Sequence, residues 1–212
     1  MTAAQNLTLT EAGYVLDRSP TAINKAVDTG VIRAKQRRVG NAVQRVVGPA
    51  ELRFLRLAGE LHKDLTPVGR RRLYDAVRKL SPDVHRVTFG GLVLDLARID
   101  SDLKTRMQRL ITIRKWVAPA AANTEATIVG TKIPVYMVAA LARTQTVADI
   151  LADFPSLARE QVEAAIEFAK AYPKRGRPYP GRSLKRALAD LAEIGAFDKL
   201  EDRDEVAPRK IP

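Results

Sequence analysis

A chain of 212 residues with 36 Lys and Arg against 24 Asp and Glu carries a formal net charge of +12, more than solubility demands, which points to a polyanionic partner and to nucleic acid first. Cysteine is absent, which excludes a disulfide frame and thiolate chemistry, and no apolar run approaches the ~20 residues that span a bilayer. The opening Met-Thr-Ala-Ala-Gln-Asn lacks the basic and apolar regions of a signal peptide, so the expectation is a soluble cytoplasmic protein without membrane contact.

Residues 1–60, at +4, read helix, turn, helix, hairpin, helix. Thr8 or Thr10 caps a short helix carrying Ala12, Val15 and Leu16. Ser19-Pro20 opens a second, serine as cap and proline in the first turn, with Ile23, Ala26 and Val27 on one face and Gly30 as the stop. Extended runs Val31 to Val39 and Ala42 to Val47 flank Gly40-Asn41 as a hairpin, and Gly48-Pro49 starts a further helix. A helix-turn-helix followed by a basic hairpin is a winged helix, whose second helix enters the major groove while the wing tracks phosphate. Arg33, Lys35, Arg37, Arg38 and Arg45 fall on or beside the wing, and Thr21, Asn24 and Lys25 at the start of the second helix are the candidate base readers. Leu9-Thr10-Glu11-Ala12 resembles the opening of the MerR and excisionase group of winged helices.

Residues 61–118 are the most basic segment, at +7. Thr66-Pro67 caps a helix with Leu73, Val77 and Leu80 in one stripe, ended by Ser81-Pro82. Val84 to Phe89 and Leu92 to Ile99 are β-rich runs around Gly90-Gly91, followed by a helix from Leu103 to Trp116. This reads as a small α+β module with an Arg70-Arg71-Arg72 cluster, which is either a grip on DNA backbone or a solvated face. His62 and His85 stand alone, without metal spacing. Asp100 and Asp102 read as a helix cap and dipole partner. No constellation supports catalysis, a metal, a cofactor or a small-molecule substrate, and the chain is not expected to be an enzyme.

Residues 119–172 are mildly acidic, at −2, which favours protein contact. Thr127 to Ile133 reads as a strand that turns into a helix at Pro134 and leaves a lone edge in need of a partner. Thr146-Val-Ala-Asp149 is a capping pattern, Asp153-Phe-Pro-Ser156 a break, and Arg159 to Tyr172 a closing helix. Residues 173–212, at +3, begin as a proline and basic linker expected to be extended and mobile. Ser183 then caps an amphipathic helix with Leu184, Leu188, Leu191 and Ile194 on one face, a partner-binding element that folds on contact. The expected fold class is mainly α with short β hairpins. Its expected parts are a winged helix-turn-helix (1–60), an α+β middle module (61–118), a helical dimerisation domain (119–172) and a tail with one amphipathic helix (173–212).

Gly130-Thr-Lys-Ile-Pro-Val135, Phe154-Pro-Ser-Leu157 and Val162-Glu-Ala-Ala165 together resemble the small "Gly-Thr-Arg-Ile-Pro-Val … Tyr-Pro-Ser-Leu" domain of bacterial VapB-like antitoxins, with Lys132 and Phe154 as mild departures. The threonine that usually caps the last helix of that domain is Ala158 here. The resemblance implies a type II toxin-antitoxin system. The lead strand, with Ile128, Val129, Ile133 and Val135, would pair with its copy in a homodimer that represses at operator double-stranded DNA. It also implies that Arg175, Arg177, Arg182, Leu184, Lys185, Arg186, Leu188, Leu191 and Ile194 engage a PIN-domain ribonuclease toxin. The rival expectation is a stand-alone MerR or excisionase-like transcriptional regulator whose C-terminal half only dimerises.

Overall fold

The computed structural model describes residues 6–39, 42–118, 125–174 and 176–193. They are mainly helical with small antiparallel sheets, the fold class expected from sequence. The chain forms two compact units, Met1–Lys115 with Lys170–Pro173, and Trp116–Ala169 with Lys174–Pro212.

In the first unit, strand β1 (Leu7–Thr8) runs into helix α1 (Leu9–Leu16). Thr8 caps it: its hydroxyl accepts from the Glu11 amide, and Glu11 Oε2 accepts from the Thr8 amide at 2.9 Å, a reciprocal capping box. Asp17 ends α1 in the left-handed region at φ 54°. Ser19 then caps α2 (Pro20–Asp28) by accepting from the Ala22 amide. The turn between them needs Gly13, since a Cβ there would lie 2.8 Å from the carbonyl oxygen of Arg18. Strands β2 (Lys35–Val39) and β3 (Ala42–Val47) pair antiparallel as the wing, β1 adds to β3, and the Gly40-Asn41 turn lies outside the described residues. Helix α3 (Pro49–Glu60) completes the winged helix.

The chain continues with α4 (Pro67–Arg78), capped by Thr66, then the hairpin β4 (Arg86–Phe89) and β5 (Leu92–Asp95), and α5 (Ala97–Lys115). The second extended run is shorter than expected because Asp95 Oδ1 accepts from the Ala97 amide at 2.8 Å and starts the helix early. Asp100 and Asp102 therefore lie inside α5 rather than before it, and both are cross-links. Arg53 of α3 donates Nε and Nη2 to the two oxygens of Asp100, and Arg56 and Arg106 flank Asp102. One apolar core carries Leu7, Val15, Ile23, Leu52 and Phe54 together with Leu73, Val77, Leu96 and Leu110, so the segments on either side of residue 60 share it.

The second unit opens with β6 (Val117–Ala118) and β7 (Thr127–Ile128), which pair antiparallel with Val117 opposite Ile128. This corrects the expectation of a lone strand from Thr127 to Ile133. The Val129 amide donates to the Trp116 carbonyl at 2.9 Å, so the strand edge is closed within one chain. Gly130, at φ 79°, occupies the third position of a turn in which the Thr131 amide returns to the Ile128 carbonyl, a geometry that favours glycine. The Thr131 hydroxyl donates to the same carbonyl and accepts from the Ile133 amide. Ile133 and Pro134 thus fold back on Thr127 and Ile128, with Thr127 bridged to Pro134. Proline fits this position because its missing amide interrupts no ladder.

Pro134 caps α6 (Val135–Leu141) and is not its first residue; α7 (Val147–Asp153) has the Thr146–Asp149 capping box, and α8 (Arg159–Ala171) follows. Where threonine is missing, the Ala158 amide donates to Gln161 Oε1 at 2.9 Å, so the helix start is held from the other side of the box. Ile128, Val135, Val138, Ile150 and Val162 form the core of this unit. Ile128→Asp is therefore expected to unfold the unit at a cost of about 3–5 kcal/mol, as a buried unpaired charge does. Trp116, the single tryptophan, reports on it in a denaturant titration; an unchanged midpoint would place Ile128 outside the core. Helix α9 (Leu184–Glu193) ends the described chain, and among the described residues no helix is long and apolar enough to cross a membrane.

Candidate nucleic-acid interface and partner arm

The start of α2 is an exposed, partly vacant helix terminus: Ser19 satisfies one amide and Pro20 removes another donor. Thr21 and Lys25 are exposed there. Asn24 is half-buried, and its side-chain amide donates to the Pro20 carbonyl at 3.0 Å. One of its donors is thus committed to its own helix, which weakens its assignment as a base reader.

The wing sorts its cations by strand alternation. Lys35 and Arg37 share one face; Arg38 shares the other with Gln36 and its cross-strand partner Arg45. Arg45 pairs with Asp28 at the end of α2 at 2.5 Å, so it braces the wing against α2 rather than standing free for a ligand. That brace identifies the face of Arg38 as the one beside α2. Lys35, Arg37 and Arg38 are exposed and have no acidic partner among the described residues. The Arg33 side chain is exposed while its backbone amide donates to the Tyr74 hydroxyl at 3.0 Å.

Other cations of this unit are internal. Arg53 and Arg56 serve the aspartates of α5, and Arg114, at the end of α5, donates to Glu11 and, at 3.1 Å, to the Tyr172 hydroxyl. Tyr172 in turn donates to Glu11, whose carboxylate is almost fully buried. Burial opposes the charge on Glu11, yet hydrogen bonds from Tyr172, the Thr8 amide and Arg114 outweigh it and hold the carboxyl below its usual 4.5. Burial, then the hydrogen bond to Glu11, pushes the Tyr172 phenol up to about 12.

In the second unit, the strand pair, the Gly130 turn and the three helices from Val135 to Ala171 form one continuous motif. Residues 117–169 match the family described as Protein of unknown function (DUF433). No curated protein and no solved structure matches the chain. Within the DUF433 segment, Ile128 and Val135 are fully buried in its own core, which removes their side chains from the surface where a dimer would form. Val129, 41% exposed, and half-buried Ile133 remain at that surface.

The arm that follows contacts the DUF433 segment at several points. Lys174 and the Tyr179 hydroxyl both bind the carboxylate of Glu125, and the Lys174 ammonium lies 4.7 Å from the Tyr179 ring centroid. The Thr144 hydroxyl donates to the Gly181 carbonyl. Ser183 caps α9 and donates to Asp153 Oδ2 at 2.6 Å. Arg186, expected to reach a partner's carboxylates, spans Asp149 at 2.8 Å and Asp153 at 3.3 Å of its own chain. Hydrogen bonds from Thr146 first and Arg186 second pull the Asp149 carboxyl down to about 2. Arg182 pairs with Asp190. Arg177 and Lys185 are exposed. The apolar face of α9 is open, with Leu184, Leu188 and Leu191 at 76, 46 and 42% exposure. Arg175 and Ile194 lie outside the described residues.

The sequence reading passed over Glu11 and Tyr74 as site-forming residues. The Thr8-x-x-Glu11 spacing was the available signal for the first. For Tyr74, the sign was a polar-tipped aromatic on the apolar face of α4, which needs a partner when buried.

Proposed function

We propose that this chain is a DNA-binding antitoxin whose winged helix binds operator double-stranded DNA and whose arm and α9 bind a co-encoded ribonuclease of the PIN-domain type. The observation that carries the DNA half is the set of exposed cations without acidic partners, Lys35, Arg37 and Arg38, braced beside the open start of α2 by the Arg45–Asp28 pair. Counter-ion release on phosphate contact drives such binding without sequence preference, and α2 supplies the preference through Thr21 and Lys25. The toxin half rests on the likeness of residues 124–172 to VapB-like antitoxins and on the leucine face of α9, three large apolar side chains at helical spacing left to solvent. The protein acts as a cytoplasmic homodimeric autorepressor and performs no reaction of its own.

A second reading, a free-standing regulator of the MerR or excisionase kind, draws on the commitment of Ser183 and Arg186 to Asp149 and Asp153, which gives the first turn of α9 a role inside its own unit. The two readings part on α9. Leu188→Ala with Leu191→Ala removes exposed apolar surface and is expected to leave the fold and DNA binding unchanged while weakening binding to the neighbouring ribonuclease by about 2 kcal/mol or more per anchor. Calorimetry of the co-expressed pair and RNA cleavage with antitoxin in excess measure it. Undiminished inhibition by the double variant would remove α9 as the inhibitor, whereas a wild-type chain that neither binds nor inhibits the ribonuclease would leave the regulator reading standing.

A further inference from the structure

We infer that α4 forms a second phosphate-contacting ridge, continuous with the Arg33 turn, so that the DNA footprint of the first unit extends beyond the winged helix onto flanking backbone. The inference rests on the DNA-binding half of the proposal above. Tyr74 joins the two elements. Its hydroxyl accepts from the Arg33 amide at 3.0 Å and donates to Glu51 Oε1 at 2.8 Å, while its ring packs on Phe54 with centroids 5.0 Å apart. The guanidinium of Arg78 lies 5.6 Å from the centroid of the same ring. Arg33 and Arg78 therefore border one buried phenol, one from the turn after α2 and the other from the last turn of α4. Glu51 forms no ion pair with either arginine: its second oxygen accepts from the Gly48 amide and its first from Tyr74.

Helical spacing adds Arg71 to this edge. Seven residues are nearly two turns, so Arg71 and Arg78 share a side of α4 and stand about 10 Å apart along the axis. Both are exposed and neither has an acidic partner among the described residues; Asp75 lies between them without an ion pair to either. The rest of the triplet is excluded by geometry. Arg70 donates to the His62 carbonyl at 3.0 Å, and Arg72 sits a further 100° around the helix from Arg71, away from the Tyr74 side. The occupant that fits two exposed guanidinium groups without acidic partners beside a DNA-reading turn is a phosphate backbone, which arginine binds bidentately and without regard to base sequence.

The test is the salt dependence of binding of the full-length protein to a duplex from upstream of its gene and to a scrambled duplex of equal length. Arg71→Gln with Arg78→Gln is expected to reduce the log–log salt slope by about 1.8 on both duplexes, and Arg71→Gln alone, which breaks no contact, by about 0.9. Sequence preference should stay constant, and Arg71→Lys with Arg78→Lys should restore most of the slope. Arg109→Gln, an exposed arginine of α5 outside the proposed ridge, should leave it unchanged. An unaltered slope in the Arg71 and Arg78 variants, with wild-type binding intact, overturns the ridge and leaves the winged helix in place. A change of sequence preference overturns it as a backbone contact. Failure of the wild-type chain to bind either duplex sinks the DNA-binding reading itself.

Discussion

Glu11→Ala is expected to lower the stability of the first unit by roughly 2–4 kcal/mol, below the 3–5 typical of a broken buried ion pair. The substitution removes the acceptor for Arg114 and Tyr172 and the capping bond to the Thr8 amide together. The reduction comes from Arg114, whose side chain is 34% exposed and so regains water once unpaired. The effect carries a pH signature. The Glu11 carboxyl is held below 4.5 in the folded state, so its contribution is fully present above pH 4.5 and is lost as pH falls through the folded value. Tyr172 acts in the opposite sense: its neutral phenol is favoured on folding, a contribution complete below pH 10 and lost as pH rises toward 12. Urea titrations followed by circular dichroism should show the gap between wild type and variant narrowing on acidification. A gap that stays constant from neutral pH to well below 4.5 would mean that the charge on Glu11 contributes nothing.

Arg37→Glu with Arg38→Glu is expected to weaken duplex binding on the order of tenfold or more near physiological salt and to shallow the salt slope by about 1.8, one phosphate contact of ~0.9 for each arginine. Because the two arginines lie on opposite faces of the wing, the single variants should differ. Arg38→Glu, on the α2 side with Arg45, places a carboxylate beside the proposed base-reading helix and should cost more than Arg37→Glu. Fluorescence anisotropy across a salt series measures both quantities. Retained affinity in the double variant would remove the wing from the interface, whereas equal effects of the single variants would refute the facing derived from strand register.

Local chemistry made much of this fold legible. Ser19, Thr66, Thr146 and Ser183 each cap a helix as read, and Thr8 is the one of the two candidate threonines that caps α1, since a hydroxyl that reaches an amide three residues ahead needs no information from elsewhere in the chain. The two hairpins were visible from extended, β-rich runs around Gly40-Asn41 and Gly90-Gly91. What stayed hidden was non-local. The partner of Thr127–Ile128 is Val117–Ala118, two residues too short to show periodicity and separated from it by an alanine-rich stretch. The pairing of Asp100 with Arg53 spans 47 residues, and that of Glu11 with Tyr172 spans 161. In the arm, net charge indicated free arginines, while two aspartates of α7 engage Arg186. Charge counts locate cations along the chain; only the fold separates those that brace it from those left for a ligand.

The return of residues 170–173 to the first unit makes residues 116–169 an insertion in the topological sense. Ala171 is fully buried in the core of the first unit, and Arg114 and Tyr172 touch there, close to the two ends of the interruption. A gene cut after Lys115 thus yields an incomplete body, with Glu11 and Arg114 deprived of their shared phenol and an apolar socket open where Ala171 belongs. A splice that joins Lys115 to Lys170 through a short linker keeps both. By the same logic, a foreign segment grafted at these two junctions leaves the first unit whole, whereas the arm from Lys174 onward loses Glu125, Thr144, Asp149 and Asp153, its partners within the second unit.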